Sequence, residues 1–213
     1  MENAKPTRAE RTRDALLTTG FELLAERPVE GISIDELISV AGVGKGSFFN
    51  HFGDKDGFKA AIAERIRADV EAQIGAANAE VTDPLERLVG GMREAVRYAL
   101  EDRCRTLVML RLTAGATTND YPLNAGIFAD VEACAAAGRI AIERTESAVL
   151  YWLGLCVALI TYVVENELTR DEAAERLREM SALGLRGLGV PPARVRAVSV
   201  SSAKQLLEAG DEP

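Results

Sequence analysis

An all-α fold is what this sequence predicts, on three observations. Alanine, leucine, glutamate and arginine are plentiful while aromatic residues make up only 5%, a palette that favours helices. Capping-box spellings recur ahead of apolar stripes of helical period: T-R-A-E at Thr7, S-I-D-E at Ser33 and T-R-D-E at Thr169. No alternating strand pattern of useful length appears, apart from the short RVRAVSVS at 194–201.

The first helix begins at Thr7, where the hydroxyl and the Glu10 carboxylate can satisfy free backbone amides. Leu17, Phe21 and Leu24 fall at i, i+4 and i+7, with Leu16 and Leu23 widening the stripe, and the helix stops near Arg27, ahead of Pro28 and Gly31. Ser33 opens a second helix with Ile34, Leu37 and Ile38 on one face; it ends at Ala41-Gly42, where glycine can take the left-handed conformation of a sharp turn. A very short helix follows over 44–50, then a break at Gly53. Asp54 is placed to cap a fourth helix through Phe58, Ile62 and Ile66 towards Ile74.

Beyond Gly75, Asp83-Pro84 is an N-cap with proline at the first helical position, starting a helix that reaches about Leu100. Further helices are expected over 103–114, 123–137 and 143–167, with AGATTNDYP at 114–122 as a loop. The helix that opens at Thr169 ends at Leu188-Gly189. After Pro192 a ragged tail is expected, with one turn of helix at Ala203–Glu208.

The net charge of −8 argues against a protein that coats nucleic acid nonspecifically. Even residues 1–60 carry eight Lys or Arg against ten Asp or Glu, so a local motif must carry any nucleic-acid reading. Cys104, Cys134 and Cys156 are far apart and the only histidine is His51, which leaves no Cys/His metal site and no expected cofactor. Reduced thiols and the absence of an apolar leader suit a cytoplasmic chain. Ser147 to Val164 is uncharged and strongly apolar, at the short end of a spanning helix, but its acidic flanks Glu143, Glu146, Glu165 and Glu167 are poor anchors. Burial inside a protein or a dimer accounts for the same pattern without a membrane.

The informative segment is ISIDELISVAGVGKGSFFNHFGDKDGF, residues 32–58. It reads as an amphipathic helix, a tight turn, and a helix too short to be stable alone. Val43, Phe48 and Phe52 can pin that short helix, leaving Lys45, Gly46, Phe49 and Asn50 on the other face. Lys45 suits a phosphate or a guanine edge, Ser47 and Asn50 can hydrogen-bond bases or phosphates, and Gly46 permits close backbone approach. Those are the requirements of a recognition helix in a major groove. A helical hairpin with a polar, solvated face would share the spacing; an exposed Phe49 favours the groove, having no stabilising role on a solvated surface. His51 and Lys55 add phosphate-contact candidates, although His51 fits a packed position equally well, and Ser33 and Gly44 complete the candidate DNA-binding set.

Residues 7–62 resemble the TetR family of bacterial regulators. The matching words are FELLAER at the end of the first helix and GISIDELISVAGVGKGSFFNHFGDKDGF, with the family's turn, short recognition helix, aromatic pair and lysine before helix four. The later helices agree in number, order and the closing GLRGLGVPPA. Two departures stand out: Gly44 where a capping Ser or Thr is common, and Phe49 where a tyrosine commonly reaches a phosphate.

The resemblance implies a helix-turn-helix DNA-binding domain over 1–62, a helical ligand-binding and dimerisation domain over 63–192, and a tail over 193–213. It implies a non-enzymatic repressor that binds a palindromic double-stranded DNA operator as a homodimer and is released by an unknown small-molecule effector. By that analogy Val149, Leu153, Leu159, Ile160 and Val163 would form the dimer interface. Tyr98, Met109, Phe128 and Trp152 could line the pocket, with Arg111 or Thr113 as polar handles, or could equally be ordinary core. A helical protein-protein interaction module without DNA binding is the alternative, supported by the acidic charge. An enzyme finds no support in a phosphate loop, metal cluster or paired histidine.

Overall fold

Thr7 caps α1 (Arg8–Glu26) as its spelling predicts: its hydroxyl accepts the Glu10 amide at 3.2 Å, and the Glu10 carboxylate accepts the Thr7 amide at 2.6 Å. The box at Ser33 is only half formed. Its hydroxyl accepts the Glu36 amide at 3.1 Å to open α2 (Ile34–Val40), but the Glu36 carboxylate pairs instead with Arg27, at the end of α1. A guanidinium is the stronger partner, and this bond ties the first helix to the second.

The protein is described here from a computed structural model covering residues 7–28, 31–112 and 124–208. Among them are ten helices and no strand: after α1 and α2 come α3 (Lys45–Phe52), α4 (Lys55–Ala77), α5 (Pro84–Glu101), α6 (Arg103–Leu112), α7 (Ala125–Ala136), α8 (Thr145–Glu165), α9 (Arg170–Gly187) and α10 (Pro192–Glu208). The loop expected at 114–122 lies outside the described residues. Gly42, at φ +66°, makes the turn between α2 and α3. Asp54 caps α4 through the Gly57 amide at 2.7 Å, and the helix runs past Gly75, where a stop was expected, to Ala77. It thereby joins the N-terminal helices to the body without a break at residue 62.

Helix α5 is the central post, packed by α4, α6, α7, α8, α9 and α10. Leu85, Leu88, Val89, Met92 and Val96 are buried along it. Asp83 caps it through the Leu85 and Glu86 amides, as the Asp-Pro pair implies.

The expected ragged tail is instead the 17-residue helix α10, lying on α9 and α5. Its buried residues Val195, Val198, Ser199, Ser202, Ala203 and Leu206 form one helical stripe. Two members of that stripe are serines, so its period is hidden from a hydrophobicity pattern, while Val198 and Val200, alternating with Ser199 and Ser201, imitate strand spacing. Arg194 fastens the start of α10 to the start of α5 through Asp83 and Glu86.

Helix α8 is long and apolar enough to cross a membrane, yet it packs against α5, α6, α7 and α9. It packs tightly on α9 at Gly184, where an added Cβ would stand 2.8 Å from both Trp152 Cζ3 and Leu155 Cδ1. Gly184→Val should therefore push the fully buried Trp152 off its seat and destabilise the body by about 1–3 kcal/mol. Urea unfolding followed by the emission of Trp152, the sole tryptophan, would check this; an unchanged midpoint would show that the two helices separate freely.

Candidate nucleic-acid interface and ligand cavity

Helix α3 is held by aromatic packing. Phe48 is fully buried, with ring centroids 5.4 Å from Phe52 and 5.6 Å from Phe58, and Phe52 meets Phe58 edge-on at 5.1 Å. Val43 packs against the same core. Phe58, from α4, completes a cluster that the sequence reading assigned to Val43, Phe48 and Phe52 alone.

Opposite this anchor, Lys45, Gly46, Phe49 and Asn50 are all exposed and share one outward face; Phe49 keeps 41% of its surface accessible. The Phe49 ring stands edge-on to Phe48 at 5.5 Å, which fixes its direction. Lys45 Nζ lies 2.8 Å from Asp35 Oδ1 on α2, so the free protein holds this cation in a surface ion pair. Gly44 is the N-cap of α3 and makes no side-chain cap, leaving the first amides of the helix to other partners.

Ser47, His51 and Lys55 are half-buried at the margins of the face. The His51 ring centroid lies 6.0 Å from that of its chain neighbour Phe52. Ser33 and Lys55 border a small cleft over Leu37 and Phe48, with the Ser33 hydroxyl already engaged as the α2 cap.

A second site lies in the body. A cavity of about 330 Å³ is lined by α4, α5, α6, α7 and α8. Met109 and Trp152 line it, as expected from the sequence. Tyr98 does not: it is buried beside Asp102 and Arg105, nearer α1. Phe128 is half-buried against the core and Arg111 is exposed, both away from the cavity, while Thr113 lies outside the described residues.

The polar lining comes from residues the sequence reading passed over. Arg67 Nε donates to Glu71 Oε1 at 3.1 Å and Arg67 Nη2 to Asn124 Oδ1 at 2.9 Å; Arg87 Nε donates to Asp130 Oδ1 at 2.6 Å. Arg67 and Glu71 are spaced i, i+4 on α4, a signal easily taken for a solvated surface pair. What distinguishes them is burial, since the Arg67 side chain is only 12% exposed.

Four of the five residues expected at a dimer interface, Val149, Leu159, Ile160 and Val163, are buried within the protomer, and the half-buried Leu153 lines the cavity together with Ile160. The protomer's own core takes up most of this set. The outward side of α8 carries Leu150, Tyr151, Val157 and Tyr162 instead, and Leu183 is exposed on α9. A helix apolar all round gives no sequence signal of which side the protomer's own core will take.

Helix α6 connects the two sites. Its Met109 and Leu110 face the cavity, while near its start the Cys104 thiol donates to the Leu24 carbonyl at 2.8 Å and Arg105 lies 4.5 Å over the Phe21 ring, both on α1. Burial pushes the Cys134 and Cys156 thiols up to about 12 and raises that of Cys104, so all three stay protonated at neutral pH. Among the described residues no group of three His, Cys, Asp or Glu is placed to hold a metal.

Comparison with known proteins agrees with this geometry. The family model for bacterial regulatory proteins of the tetR family matches residues 16–64, the segment containing α2 and α3. The HTH-type transcriptional repressor NemR of Escherichia coli is 43% identical over 54 residues, 25% of this chain and 27% of NemR. DhaR, an HTH-type transcriptional repressor of a Mycobacterium species, is 28% identical over 89 residues, 42% of this chain and 45% of DhaR. The chain thus spans less than half the length of these curated relatives. A crystal structure of RolR in complex with the ligand resorcinol is similar over 90% of this chain and 94% of that one, with 27% identity and a TM-score of 0.67. The head, residues 16–64, matches the tetR family of bacterial regulatory proteins in sequence, and nearly the whole chain is similar in shape to RolR.

Proposed function

We propose that this chain is a cytoplasmic transcriptional repressor, not an enzyme, that binds a palindromic double-stranded DNA operator as a homodimer and is released by a small molecule. The observation that carries the proposal is the outward face of α3, Lys45, Gly46, Phe49 and Asn50, held rigid over the Phe48 cluster. An eight-residue helix reads too few base pairs for genomic specificity, so two copies on a two-fold axis, roughly one DNA turn or about 10 bp apart, are a mechanical requirement. The exposed apolar side of α8 with Leu183 of α9 is the surface suited to pair them.

Release follows the same connections. A ligand acts only through different affinities for the DNA-bound and free conformations. Filling the cavity would displace α6 at Met109, and α6 grips α1 through Cys104 and Arg105. The resorcinol named for RolR supports a small-molecule effector in a related body.

Selection of bound duplexes from a random pool tests the reading: a palindromic consensus is expected, and its absence would leave a helical interaction module. Lys45→Ala should then weaken binding and lower the salt slope by about one unit. Asn50→Ala should relax preference at one position of each half-site while sparing the others. An unchanged slope together with an unchanged preference would remove α3 from the interface.

A further inference from the structure

The body cavity has two chemically different walls. One is apolar, made by Met109 and Leu110 from α6 with Trp152, Leu153 and Ile160 from α8. The other holds four ionisable groups closed into two pairs, Arg67 with Glu71 and Arg87 with Asp130. Two guanidiniums against two carboxylates leave no net charge on this wall. An anion or a cation would gain a counter-ion here only by breaking a pair and stranding the partner in a poorly solvated site.

One strong acceptor remains unused. Glu71 Oε1 takes the Arg67 hydrogen bond, whereas Oε2 accepts none from the described residues. That oxygen lies beside Gly126 at the start of α7, where an added Cβ would come into van der Waals contact with it at 3.9 Å, and both residues line the cavity. Burial raises the Glu71 carboxyl above its ordinary range against the opposing pull of Arg67, the response of a carboxylate short of donors. The cavity volume of about 330 Å³ equals roughly eleven water molecules in the liquid, at the small end of ligand pockets.

Resting on the reading of this cavity as the effector site, we propose that the effector is an uncharged molecule of about ten heavy atoms. Its apolar ring or branched-alkyl body lies against Met109, Trp152 and Ile160, and its hydroxyl donates a hydrogen bond to Glu71 Oε2. A carboxylate at the same place would be repelled by Oε2. An ammonium would compete with an Arg67 that already neutralises Glu71. A hydroxyl satisfies the acceptor and leaves both ion pairs closed.

Three probes with one body and different head groups test this: cyclohexylmethanol, cyclohexanecarboxylate and methylcyclohexane. None absorbs where tryptophan is excited, and Trp152, the sole tryptophan, reports from the cavity wall. The alcohol should alter its emission saturably and bind roughly tenfold more tightly than the carboxylate. Glu71→Gln keeps the side-chain shape but removes the charge-assisted bond; alcohol binding should weaken by roughly five- to tenfold while methylcyclohexane is unaffected. Gly126→Val should produce the same selective loss by covering Oε2 without touching the Arg67–Glu71 pair, and it keeps the test alive should the Gln variant misfold. Equal binding of alcohol and carboxylate, or indifference of alcohol binding to both substitutions, would overturn the hydroxyl assignment and leave a ligand cavity of other chemistry. Silence of Trp152 towards all three probes would overturn the effector-site reading beneath it.

Discussion

Phe48→Ala is expected to abolish DNA binding while leaving the body folded. Phe48 is fully buried and touches Phe49, Phe52 and Phe58, so truncation empties the centre of the N-terminal core, at a cost of about 3–5 kcal/mol. Helix α3 has only eight residues and a side-chain-free cap at Gly44; without that anchor it is far below the length at which a helix persists alone. Circular dichroism should report a loss of helix, whereas emission from Trp152, which is in the body, should hold. Phe49→Ala is the matched control. Phe49 is 41% exposed, so its removal should cost no more than about 0.5 kcal/mol of stability and still weaken DNA binding. A Phe48→Ala protein that bound its selected duplex as well as the parent would refute the anchoring role of the cluster.

Leu150→Glu combined with Leu183→Glu is expected to produce monomers. The two side chains are 54% and 55% exposed in the protomer, so carboxylates there are harmless to an isolated subunit. In a dimer through α8 and α9 they would be unpaired charges in an apolar contact, which the association would not survive. Separating the heads removes the linkage that makes the second half-site an intramolecular target, so DNA affinity should fall by about a hundredfold or more. Sedimentation equilibrium and duplex binding on one preparation would decide this. A double variant that stays dimeric would place the interface elsewhere. Truncating Val149, Leu159, Ile160 or Val163 should give a different result, unfolding of the protomer, because all four are already buried inside it.

The positions of α1 to α9 and the outward face of α3 were legible in the sequence, because they rest on local chemistry. Thr7, Asp54, Asp83 and Thr169 cap helices with their own side chains within three residues, and Gly42 turns the chain through its own backbone freedom. Alternation within α3 places Phe48 and Phe52 on one side and Lys45 and Phe49 on the other, whatever the rest of the chain does. Only packing could decide which side of the uniformly apolar α8 turns inward, that the serine-bearing stripe of α10 is buried, and that Glu36 answers Arg27 rather than its own cap. The cavity belongs to that second group. Its charged wall joins Arg67 and Glu71 to Arg87 and Asp130, residues from three helices whose neighbourhood is set by long-range contacts that no local pattern encodes.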